Sequence, residues 1–187
     1  HWMPVDLYIG GPEHAVGHLI YSRIWNRYLY NKGLAPTKEP FQKLVHQGMI
    51  LGANGIKMGK RFPEFVVNPS DVVRDYGADT LRLYEMFMGP LEATKPWNTT
   101  GVEGVHRFLK RANRLVTESK IEDRALTKAE AKSLNAMIKK VGDDLEAMAF
   151  NTGISAMMVF MNEAEDFAKA GALSMEYLKK FVLCLAP

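Results

Sequence analysis

The chain opens on a short apolar run. Pro4 to Ile9 carries Val, Leu, Tyr and Ile and leads straight into Gly10-Gly11, which predicts a strand whose end lets something approach its backbone. From Glu13 to Asn31 nearly every face is apolar (Ala15, Val16, Leu19, Ile20, Ile24, Trp25, Tyr28), relieved by Arg23 and Arg27. That pattern predicts a helix mostly buried against a sheet and ended by Gly33. A second strand is expected over Lys43 to Leu51. Strand, helix, strand implies a parallel pair with one right-handed crossover, half of a doubly wound sheet. In such sheets ligands sit beyond the carboxyl ends of the strands.

A turn-rich link, Gly52-Ala53-Asn54-Gly55-Ile56, joins the second strand to the cationic stretch Lys57-Met58-Gly59-Lys60-Arg61. Asn68-Pro69-Ser70-Asp71 has the form of a cap, a proline at the first helical position and an acid in the first turn; Gly77 closes that helix. A further helix is expected from Ala78 to Met88, stopped by Gly89-Pro90, with Leu81, Leu83, Tyr84 and Phe87 packed. Beyond it the periodicity is helical throughout. Thr127 and Glu130 form a capping box before Leu134, Met137, Ile138, Val141, Leu145 and Met148. Asn151 is expected to cap the next helix, with Ile154, Met157, Met158 and Met161, and Ser174 to open the last one; short links imply antiparallel packing. The fold class is therefore α/β followed by all-α.

Composition adds boundaries to this picture. With 187 residues, 47% apolar and 24% charged, the chain is long enough for one sizeable core or two small ones. A net charge of +3 permits a nucleic-acid partner without demanding one. The single cysteine, Cys184, leaves no intramolecular disulfide and suits a reducing compartment. No run approaches the ~20 apolar residues of a membrane span, and no charged-then-apolar leader opens the chain, so a cytoplasmic protein with no membrane partner is expected. His1 fits a tag remnant.

Four groups of residues carry candidate chemistry. Lys57 and Lys60, three apart on a glycine-containing loop, can close on a polyphosphate as mobile point charges; a solvated basic loop is the plain alternative. Glu13, just after the glycine pair, can either favour a helix start through its charge or accept hydrogen bonds from ribose hydroxyls. His14 and His18 share a helical face, but Ala15 stands where a zinc-helix motif has Glu and no third ligand follows, so no protein-bound metal is expected. Over Gly104 to Thr117, Arg107, Lys110, Arg111 and Arg114 fall on one face without an acid among them. Such a face is either merely solvated or a track for an RNA backbone.

The ordered set Gly10-Gly11-Pro12-Glu13-His14-Ala15, Lys57 to Arg61, and Tyr76-Gly77-Ala78-Asp79-Thr80-Leu81-Arg82-Leu83-Tyr84-Glu85-Met86-Phe87 resembles the leucyl-tRNA synthetases, members of class I. Lys57 to Arg61 stands where that family has its KMSKS motif, with Gly59 and Arg61 in place of the serines. The resemblance is specific over Trp2 to Leu115 and looser to Pro187. It implies ATP-dependent activation of leucine to leucyl-adenylate and transfer to tRNA(Leu), with Mg2+ on the ATP phosphates. Gly10, Gly11 and Glu13 would line the adenosine pocket, Met58 would contact adenine through its backbone, Lys60 and secondarily Lys57 would meet the phosphates, and Arg107, Lys110, Arg111 and Arg114 would meet tRNA. Residues 1–66 would be the second half of a Rossmann-like catalytic domain, 67–100 a stem-contact region and 101–187 part of an anticodon-binding helical bundle. The resemblance also implies a piece of a longer polypeptide, inactive alone, because the HIGH histidines and the leucine pocket belong to other residues of the enzyme. A standalone RNA-binding or adapter module of the same descent is the alternative.

Overall fold

A computed structural model describes residues 2–187; His1 lies outside the described residues. Strand β1 (Val5–Gly10) pairs in parallel with β2 (Phe41–His46), with Val5 opposite Phe41 and Gly10 opposite His46. The chain between them is helical but not one uniform helix. A 3-10 turn at Pro12–His14 runs into a single π turn at Ala15–Leu19 and then into helix α1 (Ile20–Asn31).

The expected burial of that helix is not what the structure holds. Leu19 and Asn26 are buried, Asn26 donating to the Thr37 carbonyl at 2.8 Å, while Val16, Ile20, Tyr21, Ile24, Trp25 and Tyr28 are exposed. The sheet formed by β1 and β2 has two strands only, too few to cover a helix that is apolar on nearly every face. The remaining apolar stripe faces outward.

The predicted strand from Lys43 to Leu51 is also broken in two. After Gln47 N donates to Gly10 O, the next residue leaves the sheet: Gly48 N donates to Leu91 O at 2.7 Å. A Cβ at Gly48 would collide with the Ala93 carbonyl, so a glycine is required where the two backbones cross. Strand β3 (Ile50–Leu51) then pairs in parallel with β4 (Lys95–Pro96), a partner 45 residues downstream that carries no local strand signal.

Helix α2 (Pro69–Tyr76) starts as the sequence dictates, with Asn68 Oδ1 accepting from Ser70 N at 3.0 Å. Helix α3 (Ala78–Phe87) and helix α4 (Thr99–Glu118) follow. Helix α5 (Lys128–Glu146) carries the complete Thr127/Glu130 capping box. Helix α6 (Phe150–Ala170) begins one residue before the expected cap: Ala149 holds the N-cap position, and it is Thr152 whose hydroxyl reaches Asp144 Oδ2 at 2.7 Å. Ser174 does precede helix α7 (Met175–Leu185), but its hydroxyl donates to Arg124 O instead of capping. Between these helices β5 (Ile121–Glu122) pairs in parallel with β6 (Leu173–Ser174), another contact invisible to local patterning.

Two apolar cores result. The larger is made by α4 to α7 and includes Phe108, Leu134, Met161, Tyr177 and Phe181. The smaller gathers Val72, Tyr84, Trp97, Val102 and Val105, and Ile50, Met58 and Val67 pack against it. Through it the cationic loop is fastened to the helices. Among the described residues no helix is long and apolar enough to cross a membrane.

Candidate functional site

Because β1 and β2 are parallel, Gly10 and His46 lie at the same end of the sheet, and the chain after β1 turns there over a glycine. The Glu13 carboxylate folds back against Gly11 so closely that a Cβ at Gly11 would overlap it. Glycine at this position thus lets an exposed carboxylate sit beside the backbone at a strand end. Glu13 lies 3.9 Å from His14 Nε2 and is otherwise unpaired among the described residues. His18 stacks on Tyr8 with ring centroids 5.6 Å apart, and Tyr8 packs on Phe41 at 4.5 Å. His18 is therefore a packing residue in this structure. Among the described residues no three His, Cys, Asp or Glu side chains gather as a metal-binding group.

The cationic loop follows β3 through a tight reversal: Gly52 N donates to Ile56 O, and Lys57 bridges back to Leu51. Met58 is the loop's anchor. Its thioether accepts from Val67 N at 3.4 Å, and its side chain packs on the smaller core. Lys57 and Lys60, on either side, are exposed and form no ion pair among the described residues. Nothing stands within 4 Å of where a Gly59 side chain would begin, so the loop faces open space at its centre. Two unpaired cations around a fixed pivot fit an anionic ligand with several charged oxygens. Arg61 instead lies over the Phe62 ring, 5.4 Å from its centroid.

The basic face of α4 divides into two. Arg111 is committed to α6: it donates Nε to Glu165 Oε1 at 2.8 Å, Nη2 to Glu165 Oε2 at 2.8 Å and Nη2 to Asn162 at 2.7 Å. The guanidinium holds the Glu165 carboxyl below its ordinary range. Arg107, Lys110 and Arg114 are exposed and form no ion pair among the described residues. They border a groove of about 1000 Å³ whose other walls are the α2–α3 junction at Gly77, Ala78 and Asp79 and the end of α7. All four cations line the groove, but Arg111 alone is committed to an ion pair, with Glu165, a pairing 54 residues apart that helical spacing cannot reveal. His106 and Thr80, both on the groove wall, were given no role by spacing; the only sequence signal was His106 standing next to the basic residues.

With this geometry in place, likeness to known proteins becomes informative. The pattern of the tRNA synthetases class I (I, L, M and V) matches residues 3–95, which include the glycine turn, the lysine loop, α2 and α3. The LeuRS of Agrobacterium radiobacter K84 agnB2, solved as a ternary complex with tRNA and LeuAMS, superposes with a TM-score of 0.86 and 32% identity over 98% of this chain. The chain belongs to the class I tRNA synthetases. Two structures of Mycobacterium tuberculosis methionyl-tRNA synthetase share the fold at 13% and 14% identity, with TM-scores of 0.63 and 0.59 over 98% of this chain. One of these holds methionyl-adenylate and the other is the free state. This class I synthetase chain spans 26% of the length of the LeuRS chain, and 39% and 38% of the two methionyl chains.

Proposed function

We propose that the chain is a segment of a leucine–tRNA ligase, which makes leucyl-adenylate from leucine and ATP and transfers leucine to tRNA(Leu). The observation that carries this reading is the 32% identity to LeuRS across 98% of the chain. On this reading residues 1–66 are the second half of a Rossmann-like catalytic domain, 67–100 the stem-contact region, and 101–187 the first helices of an anticodon-binding bundle.

In the reaction the leucine carboxylate attacks the α-phosphorus of ATP and pyrophosphate leaves. Mg2+ bound to the ATP phosphates would neutralise part of their charge. The Lys60 ammonium meets the leaving phosphate oxygens, and its contact strengthens as negative charge develops there, which is what accelerates the step. Lys57 is the secondary contact. Met58, held by its side chain, presents its backbone to adenine. Gly10 and Gly11 admit the adenosine, and Glu13 accepts from the ribose hydroxyls. Arg107, Lys110 and Arg114 meet tRNA phosphates, while Arg111 braces α4 on α6. The 187 residues alone make no leucyl-adenylate, since holding both reactants in place is a large part of such catalysis and the lysine loop has nothing to clamp them against.

The test is leucine-dependent ATP–pyrophosphate exchange in a polypeptide of full synthetase length carrying this stretch. Lys60→Ala is expected to lower the exchange rate about a hundredfold, the effect of losing roughly 3 kcal/mol of transition-state stabilisation. A rate within a few fold of the unsubstituted enzyme would sink the assignment. Leucine-dependent turnover by the 187 residues alone would equally show the catalytic residues to be misplaced.

A further inference from the structure

The cation-lined groove on α4 contains one oriented hydrogen-bond acceptor whose protonation site is fixed by the fold. Thr80 is 2% exposed and sits in the first turn of α3. Its hydroxyl donates to Tyr76 O at 2.7 Å, satisfying one of the carbonyls left open at the end of α2. The same oxygen lies 3.1 Å from His106 Nδ1. A hydroxyl has a single proton, and a carbonyl can only accept, so the Thr80 proton belongs to Tyr76 O. Thr80 must then accept from His106, and Nδ1 carries the ring proton. The neutral imidazole is left with an unprotonated Nε2. The ring also packs nearly perpendicular to the Tyr76 ring, centroids 5.6 Å apart. Nε2 makes no hydrogen bond among the described residues, and His106 lines the groove beside Arg107, Lys110 and Arg114.

Cations alone recognise phosphodiesters of any nucleic acid, because phosphate carries no information about the sugar. An acceptor on the wall of the same groove recognises a donor next to a phosphate. In RNA that donor is the ribose 2′-hydroxyl, the group that tells RNA from DNA. We propose that His106, oriented by Thr80, accepts a hydrogen bond from a ribose 2′-hydroxyl in this groove and makes the site selective for RNA. The inference rests on the tRNA-contacting role given to this face above. Arg107, Lys110 and Arg114 supply affinity, His106 supplies sugar discrimination, and Thr80 is a positioning residue that touches no nucleotide.

The experiment compares binding of the 187-residue chain to an RNA hairpin and to its 2′-fluoro counterpart, which keeps A-form geometry but has no hydroxyl proton. The unsubstituted chain is expected to prefer RNA by about five- to tenfold, the effect of one hydrogen bond. His106→Leu should bind both hairpins alike. His106→Gln, which keeps an acceptor oxygen, should restore part of the preference, and Thr80→Val, which frees the ring, should reduce it while leaving the salt dependence of binding unchanged. Equal binding of the two hairpins by the unsubstituted chain, or a preference that survives in His106→Leu, overturns the proposal. If the chain binds neither hairpin in a salt-dependent manner, the tRNA-contacting role of the groove falls, and this inference with it. Salt-dependent binding without sugar preference defeats the inference alone.

Discussion

Replacing Glu130 by Gln tests the junction that holds the helical half together. The Glu130 side chain is 3% exposed. Its carboxylate accepts Arg124 Nη1 at 2.8 Å and Nη2 at 2.9 Å, Thr127 N at 2.8 Å and Ser174 N at 3.3 Å. Arg124 Nη2 also donates to Ala172 O at 2.6 Å, so one ion pair ties the start of α5 to the β5–β6 crossing. These contacts, the Arg124 hydrogen bonds foremost, pull the Glu130 carboxyl down from 4.5 to about 2. At about 1.4 kcal/mol per pH unit, that depression corresponds to roughly 3 kcal/mol of folding stability from the ionised form. The sign follows from the direction: the folded carboxyl is the stronger acid, so its contribution is complete above the unfolded value and fades as pH falls from about 4.5 towards 2. Urea unfolding followed by circular dichroism should show Glu130→Gln costing about 3 kcal/mol near pH 7 and less than half of that at about pH 3. An equal cost at both pH values, or one under about 1 kcal/mol near neutrality, would refute the reasoning.

Three further outcomes follow from the geometry. Neutralising Arg107, Lys110 and Arg114 together should flatten the dependence of log binding constant on log salt by about two to three units for an RNA hairpin. Arg111→Gln should leave that slope alone and lower the melting temperature, because its partner is Glu165 rather than solvent. Gly48→Ala should cost about 2 kcal/mol in chemical denaturation, since the new methyl meets the Ala93 backbone and no side chain can move aside.

What the sequence disclosed was whatever is written locally. Asn68-Pro69 and the Thr127/Glu130 box place helix starts because the cap and its recipient are two or three residues apart. The glycine turn and the lysine loop were likewise visible as composition. Contacts between distant segments were not. Gly48 reads as an ordinary glycine until Ala93 arrives beside it, so the predicted second strand ran on through a point where the backbone changes sheets. Helical spacing set Arg111 among the cations, yet it cannot register a carboxylate on another helix. The apolar residues on nearly every face of the Glu13 to Asn31 stretch read as a mostly buried helix, yet most of them stand exposed, because local composition cannot tell what will cover a helix. Thr80 and His106 meet only because α3 and α4 pack, and their tautomeric consequence needs the Tyr76 carbonyl as a third party.

The attachment of the cationic loop has a mechanical side. Its anchor on the smaller core is a methionine, an unbranched side chain with three rotatable bonds and a soft sulfur. A branched residue at Met58 would make that joint a rigid peg, keeping its contacts in a single orientation. A thioether can slide and twist against the smaller core without opening a void, so the joint behaves as a bearing. The lysines at either end can then swing through a range of angles while the pivot stays seated, and the helices need not shift to let them.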